Sequence, residues 1–264
     1  MIDSTVFRFF RQALISYKAL FGFLDIKTYI LVKIVNPIFQ LIFFSLLAGY
    51  IANTKDVTPW IVGNAFLSSV YNALFGVGLV LLDERRFGTL KMVIASPSNN
   101  FFIFIGRSLI HLIDAIFTVI LCLLVGALLF NIDFSQANIF LLLLIIFCSM
   151  FAAMGLGLLI GSFGLLIRDI NLVLNTMASL LMILTGAQFP IKYLPYIFQD
   201  ISRFIPITRG IEASKAVLHG ESGFRVYQLI MEEFILGIIY MILGYISLRV
   251  IEKLAREKAS LDAF

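Results

Sequence analysis

Charged residues are so sparse along this chain that the apolar runs between them read directly as elements. Ile34 to Thr54, Val57 to Leu82, Phe134 to Ile167 and Ile170 to Ile191 hold no charged residue, while Phe101 to Phe130 and Val226 to Leu248 are apolar with a few polar interruptions. A helix needs about 20 predominantly apolar residues to cross a hydrocarbon core about 30 Å thick. The pattern therefore predicts an all-α integral membrane protein with six transmembrane helices. Asn36-Pro37 near the start of the first run predicts a kink. The run Phe134 to Ile167 is longer than one span needs and crowds Gly155, Gly157, Gly161 and Gly164 into its second half. Gly157 and Gly161 have the GxxxG spacing that permits close helix approach.

Polar positions inside the runs are periodic as well. Asn64, Ser68 and Asn72 recur at i, i+4, i+8 in the second run, as do Asn171, Asn175 and Ser179 in the fifth. That spacing keeps each set on one helix face, and amides facing lipid would go unsatisfied. Each stripe thus faces protein or water, either as a packing seam or as the wall of a route, in which case Gln40 with Phe39 and Phe43 on the first span completes the wall. His111 and Asp114, three residues apart, share a face. A charge costs about 2.5 to 3.5 kcal/mol at a span centre, which turns Asp114 toward protein or water. The two read as a hydrogen-bonded packing pair in preference to a proton relay or half a metal site. In the last run only Phe234 to Leu248 is free of charge, placing Glu232 and Glu233 at or just inside the outer interface. One helical step turns a side chain by about 100°. Either one carboxylate meets water while the other turns inward, toward Arg203 or Arg209, or both lie among headgroups.

Two segments outside the runs are amphipathic. In Met1 to Lys27, Phe7, Phe10, Leu14, Tyr17 and Phe21 step by three and four while Arg8, Arg11, Gln12 and Lys18 fall elsewhere. Such a helix lies in the membrane surface or packs on the protein's own helices, and Lys33 beyond it is expected to snorkel to the interface. Asp83 to Pro97, DERRFGTLKMVIASP, carries Phe87, Leu90 and Ile94 on one helical face with Glu84, Arg85, Arg86 and Lys91 elsewhere. Pro97 ends it, because proline disfavours helix in the residue before it. A partner in water has use for such a handle; the alternative is an ordinary loop.

Composition narrows the class. The chain is 61% hydrophobic and 14% charged, with mean hydropathy +1.01, against about 25% charged for soluble domains. The net charge of +4 does not form a nucleic-acid-binding stripe, because the basic residues sit in short clusters beside apolar runs. Five of them lie in the arm through Lys33, four between Arg85 and Arg107, one at Arg168 and four in the tail from Arg249, so 14 of 20 fall on one side of a six-span chain. Both termini are then expected to be cytoplasmic. Cys122 and Cys148 sit in apolar runs without CxxC or CxxH spacing and read as small core hydrophobes rather than a disulfide or metal site. The N-terminal residues show no signal-peptide pattern. Neither GxxxxGK[ST] nor any Gly-Lys pair occurs, so no phosphate loop for ATP is present. An intramembrane enzyme would need a catalytic set, and His111 with Asp114, Glu232 with Glu233, and His219 mark no nucleophile. An anchoring subunit without a pathway would lack the polar stripes.

The order Glu84-Arg85, then Gly88-Thr89-Leu90, then Ser96-Pro97, resembles the coupling helix of type-2 ABC export permeases, the family that includes daunorubicin-resistance and O-antigen exporters. A second signature lies in GAQFPIKYLPYIFQDISRFIPITRGIEASKAVLHG, where Gly186, Phe189-Pro190, Leu194-Pro195, Pro206, Thr208 and Gly220 match the daunorubicin-type pattern. Lys91 departs from it, standing where the family often carries glutamate. The resemblance implies one permease domain over 1–264, with an interfacial helix at 1–27, a coupling helix at 83–97 and re-entrant helices at 186–225. It implies that Glu84, Arg85, Phe87, Gly88, Leu90 and Ile94 engage a separate ABC ATPase, present in two copies and holding ATP and Mg. It also implies a homodimer or heterodimer of permeases in a bacterial cytoplasmic membrane, with spans one, two and five around the dimer axis. The 27 phenylalanines and uncharged polar stripes fit export of a lipophilic or amphipathic drug, antibiotic or modified peptide, the alternative cargo being a lipid-linked glycan.

Overall fold

A computed structural model describes residues 26–86, 88, 100–165, 167 and 169–257. The protein is an all-α, multi-span membrane protein. A short α1 (Ile26–Ile30) passes through a π-helical turn (Leu31–Val35) into α2 (Asn36–Ala52), and α3 (Thr58–Arg86), α4 (Asn100–Phe130) and α5 (Ile139–Ser162) follow. After a 3-10 turn (Phe163–Leu165) come α6 (Ile170–Leu184), a second 3-10 turn (Ile191–Tyr193), the short helices α7 (Tyr196–Ser202) and α8 (Thr208–Leu218), and the long α9 (Phe224–Glu257).

The sequence explains most of the boundaries. The irregularity expected at Asn36-Pro37 takes the form of the wide π turn just before it, where the Asn36 N–H reaches back to the Leu31 carbonyl. Proline lacks the N–H that would close the next turn, and the wide turn absorbs that defect. Asp56 accepts from the Thr58 N–H at 3.0 Å, Asn138 from the Leu141 N–H and Asp169 from the Asn171 N–H, each satisfying a backbone donor at a helix start. Asn53 and Asn131 take left-handed backbone at the ends of α2 and α4, as the C-terminal cap of a helix favours.

Among the described residues, five helices are long and apolar enough to cross a membrane: Leu31–Ala52, Thr58–Glu84, Ile103–Phe130, Ile139–Ser162 and Phe224–Ile251. The run expected as the fifth span is shorter than its apolar sequence. α6 stops at Leu184 because Gly186 turns into left-handed backbone, φ 74°. At about 1.5 Å per residue, its 15 residues reach less far than the core thickness. Glu232 and Glu233, by contrast, lie inside the single helix α9.

α3 is the centre of the bundle. It runs antiparallel to α2, with Ser68 against Gln40, to α4, with Asn72 against Thr118 and Ile61 against Gly126, and to α6, with Tyr71 against Ala178 and Gly78 against Leu174. It runs parallel to α5, where Gly157 meets Val77 and Gly161 meets Gly78. α9 is parallel to α5 in turn, through Phe151 on Phe234 and Ser162 bonded to Ser247 at 2.8 Å. The GxxxG pair does what its spacing predicts: a Cβ on Gly161 would lie 2.9 Å from the Gly78 carbonyl oxygen, so only glycine allows the two backbones this approach. Phe66, Leu67, Leu74, Ile145 and Met150 fill the core between α3 and α5. α2 is attached more thinly, burying only Pro37, Leu41, Ser45 and Gly49. Residues 185–223 cap the end at which α3, α5 and α9 begin, as the contacts of Ala187 with Gly63 and of Gly220 with Gln136 require. Gly88 marks the opposite end.

Candidate functional site

At the Gly88 end, α3 and α4 are clamped by an ion pair between Glu84 and Arg107, the carboxylate being buried. Glu84 therefore points into the bundle. Arg85 continues α3, and Gly88 is an exposed turn residue with φ 69°. Phe87, Leu90 and Ile94 of the expected coupling face lie outside the described residues, as does the arm expected to be interfacial up to residue 25.

The α3 stripe is joined to its neighbours at every step. Asn64, 1% exposed, accepts from Gln188 Nε2 at 2.7 Å and donates to the Trp60 carbonyl; Trp60 Nε1 donates to the Gln188 carbonyl at 3.0 Å. Ser68 reaches Gln40 at 3.5 Å. Asn72 donates to Thr118 Oγ1 at 3.2 Å and accepts from Lys33 Nζ at 3.3 Å. Lys33 Nζ also lies 2.5 Å from Asp114 Oδ2.

Two sequence expectations are corrected here. Lys33 does not snorkel to an interface: from the π turn it reaches inward to Asp114 and Asn72, trading hydration for a charge-assisted hydrogen bond. His111 and Asp114 do not bond to one another. His111 is buried with neither ring nitrogen partnered, packed against Gly76, while Asp114 takes the lysine.

The α6 stripe is different in kind. Asn175 and Ser179 are exposed and Asn171 is half-buried. Asn175 Nδ2 donates to the Asn171 carbonyl at 2.8 Å, and Ser179 Oγ to the Asn175 carbonyl at 3.0 Å. The donors of Asn175 and Ser179 are satisfied within the helix. Phe39, 67% exposed, and Phe43, 60% exposed, stand on the outer face of α2, and Gln40 beside them is half-buried.

At the capped end, α8 is held by α9. Ile207 precedes α8 with left-handed backbone, φ 67°, and its N–H donates to Glu233 Oε1 at 2.5 Å. Glu233 is 1% exposed, while Glu232 pairs with Arg209 Nε at 2.8 Å and accepts from Gln228. The two carboxylates thus divide, but the arginine expected on the inward one is found on the outward one instead. The inward one caps a helix, and the outward one takes the arginine. Lys215 on α8 donates to the Gly186 carbonyl at 3.4 Å, and burial pushes its pKa down to about 8. Among the described residues no group of His, Cys, Asp and Glu is arranged to hold a metal, and Cys122 and Cys148 are buried free thiols.

A family model for ABC-2 type transporters matches residues 12–219, well over half of the chain. A comparison with curated proteins found no significant match. The matched segment takes in α1 to α8, including the helix pair clamped by Glu84 and Arg107 and the capping segment up to His219. The chain belongs to the ABC-2 type transporter family.

Proposed function

We propose that this chain is the export permease of an ABC transporter, with six spans, both termini in the bacterial cytoplasm, and two copies of a separate ATPase docked at the Gly88 end. The observation that carries the reading is the family match over residues 12–219, joined to a segment bearing Phe87, Leu90 and Ile94 between two helices clamped at their base. Members of this family pair with an ATPase subunit. The permease has no phosphate loop of its own, so ATP and Mg belong to that partner. Docking rests on Arg85, Phe87, Gly88, Leu90 and Ile94; Glu84, paired with Arg107, acts by holding α3 and α4 together beneath them. Residues 1–27 form an interfacial helix, and 186–225 form the re-entrant cap.

The cargo is a lipophilic or amphipathic compound such as a drug, antibiotic or modified peptide. It passes between two permease copies along exposed faces of α2 and α6 bearing Phe39, Phe43, Asn175 and Ser179, with Gln40, Asn64, Ser68, Asn72 and Asn171 behind them. Support for this comes from the exposure of aromatic and uncharged amide side chains on two helices flanking α3. A lipid-linked glycan is the alternative cargo.

The test is Leu90→Asp. Burying a leucine in a docking groove contributes about 1.5 to 3 kcal/mol, so this variant is expected to lose ATPase binding and export while the spans stay folded. Unchanged ATPase association and unchanged substrate-stimulated hydrolysis in the purified variant would refute the docking.

A further inference from the structure

At the capped end a cavity of about 570 Å³ opens between α7, α8 and the start of α9. Three guanidiniums from three different elements line it: Arg203 just after α7, Arg209 on α8 and Arg225 on α9. Two lining carboxylates offset part of that charge, Glu232 pairing with Arg209 at 2.8 Å and Glu212 with Arg225 at 2.6 Å. The acid nearest Arg203 is Asp200 at 3.8 Å, with both side chains largely exposed; water screens such a contact to little net value. The lining therefore keeps one guanidinium in excess. Two further groups of the same wall lack an acceptor, Arg209 Nη1 and the hydroxyl of Thr208, a residue only 6% exposed. A buried donor without an acceptor is costly, so this wall is polar behind its surface as well as at it.

Guanidinium forks match the paired oxygens of phosphate and carboxylate. The rim adds a second feature, because Tyr193, Tyr196, Ile197 and Phe198 are all exposed on the 3-10 turn and on α7. Aromatic side chains of this kind are enriched where a protein meets the membrane–water boundary. We infer that this cavity binds the anionic headgroup of an amphiphile, its phosphate or carboxylate oxygens among Arg203, Arg209 and Arg225 and its tail along the apolar side of α7. The headgroup belongs either to a membrane lipid or to an exported amphiphile.

The experiment uses the full-length chain in neutral detergent, independent of any ATPase, so it succeeds or fails apart from the docking reading. Retained phosphatidylglycerol is counted by native mass spectrometry, with phosphatidylcholine as the uncharged-headgroup comparison and inorganic phosphate as competitor. The wild-type chain is expected to retain phosphatidylglycerol over phosphatidylcholine and to release it as phosphate or salt is raised. Arg203→Gln with Arg225→Gln is expected to weaken retention by about tenfold or more, as loss of charge-assisted bonds implies. Both side chains are about three-quarters exposed, so melting without lipid should be unchanged. Arg225→Lys alone keeps the charge and should retain most of the binding. Equal retention of the two lipids, retention unaffected by the double substitution, or stabilisation by phosphate but not by phosphatidylglycerol would each overturn the inference. Preference for phosphatidylglycerol that phosphate displaces supports a membrane-lipid headgroup; preference for dodecanoate, a single-chain acidic amphiphile, over phosphatidylglycerol supports an amphiphilic cargo.

Discussion

Lys33 and Asp114 meet across 81 positions of sequence, with only 16% and 9% of their side chains exposed. A charge so enclosed is tolerable because its counter-charge is within hydrogen-bonding distance, and removing one member leaves the other stranded. Asp114→Asn is therefore expected to cost about 3 kcal/mol, read as a lowered melting temperature in detergent. Lys33→Met with Asp114→Leu together should recover most of it, since replacing both partners by apolar groups is often neutral. The sequence made Asp114 legible as a group that turns away from lipid. Its partner was not legible, because the π turn that swings Lys33 inward leaves no periodic signature, and a lysine before an apolar run ordinarily reads as an interfacial anchor. Glu232 and Glu233 show the complementary case: adjacency alone separated their directions, but the use of Glu233 on the Ile207 N–H depends on a left-handed residue 26 positions away.

Helix periodicity made both polar stripes visible, yet they serve unlike surroundings. On α3 the stripe is stitched to α4, to the π turn and to the capping segment, whereas on α6 it bonds only to its own backbone. The i, i+4 spacing is the same in both; only the positions of the other helices tell them apart. Opposite outcomes follow for one substitution. Asn72→Leu removes one bond each from the Lys33 ammonium, which keeps Asp114, and from the Thr118 hydroxyl, which keeps the Asp114 carbonyl, and is expected to lower stability by about 1 kcal/mol. Asn175→Leu removes only a self-satisfied donor on an exposed face, so melting should hold while export rate or cargo selectivity changes. Loss of dimerisation or stability in Asn175→Leu, with selectivity unchanged, would make α6 a packing face instead.

For the whole molecule, the alternation of helix direction is the main result. α2, α4 and α6 run against α3, α5 and α9, so the segments between them fall alternately at two ends. From the basic-residue asymmetry we propose that the Gly88 end faces the cytoplasm. In a background lacking Cys122 and Cys148, cysteine at Lys55 or Asp133 should react with an impermeant reagent from outside, and cysteine at Ser98 or Ser260 should not. The reverse pattern would invert the protein. Five of the long helices were legible from apolar length alone. The shortness of α6 was not, because apolar sequence continues beyond Leu184 and only the backbone reversal at Gly186 ends the helix. The cap was legible as broken structure from its prolines, but not the clasp of α8 by a buried carboxylate.

The chain holds a single tryptophan, and Trp60 donates its indole N–H to the Gln188 carbonyl where α3 meets the cap. Whenever residues 186–190 lift away from α3, that indole exchanges a fixed carbonyl for mobile solvent dipoles, and its emission shifts toward the red. Trp60 thus serves as an optical gauge of whether the cap stays seated on α3, and a fluorescence spectrum of the permease alone, in which every indole is Trp60, would read it without a label.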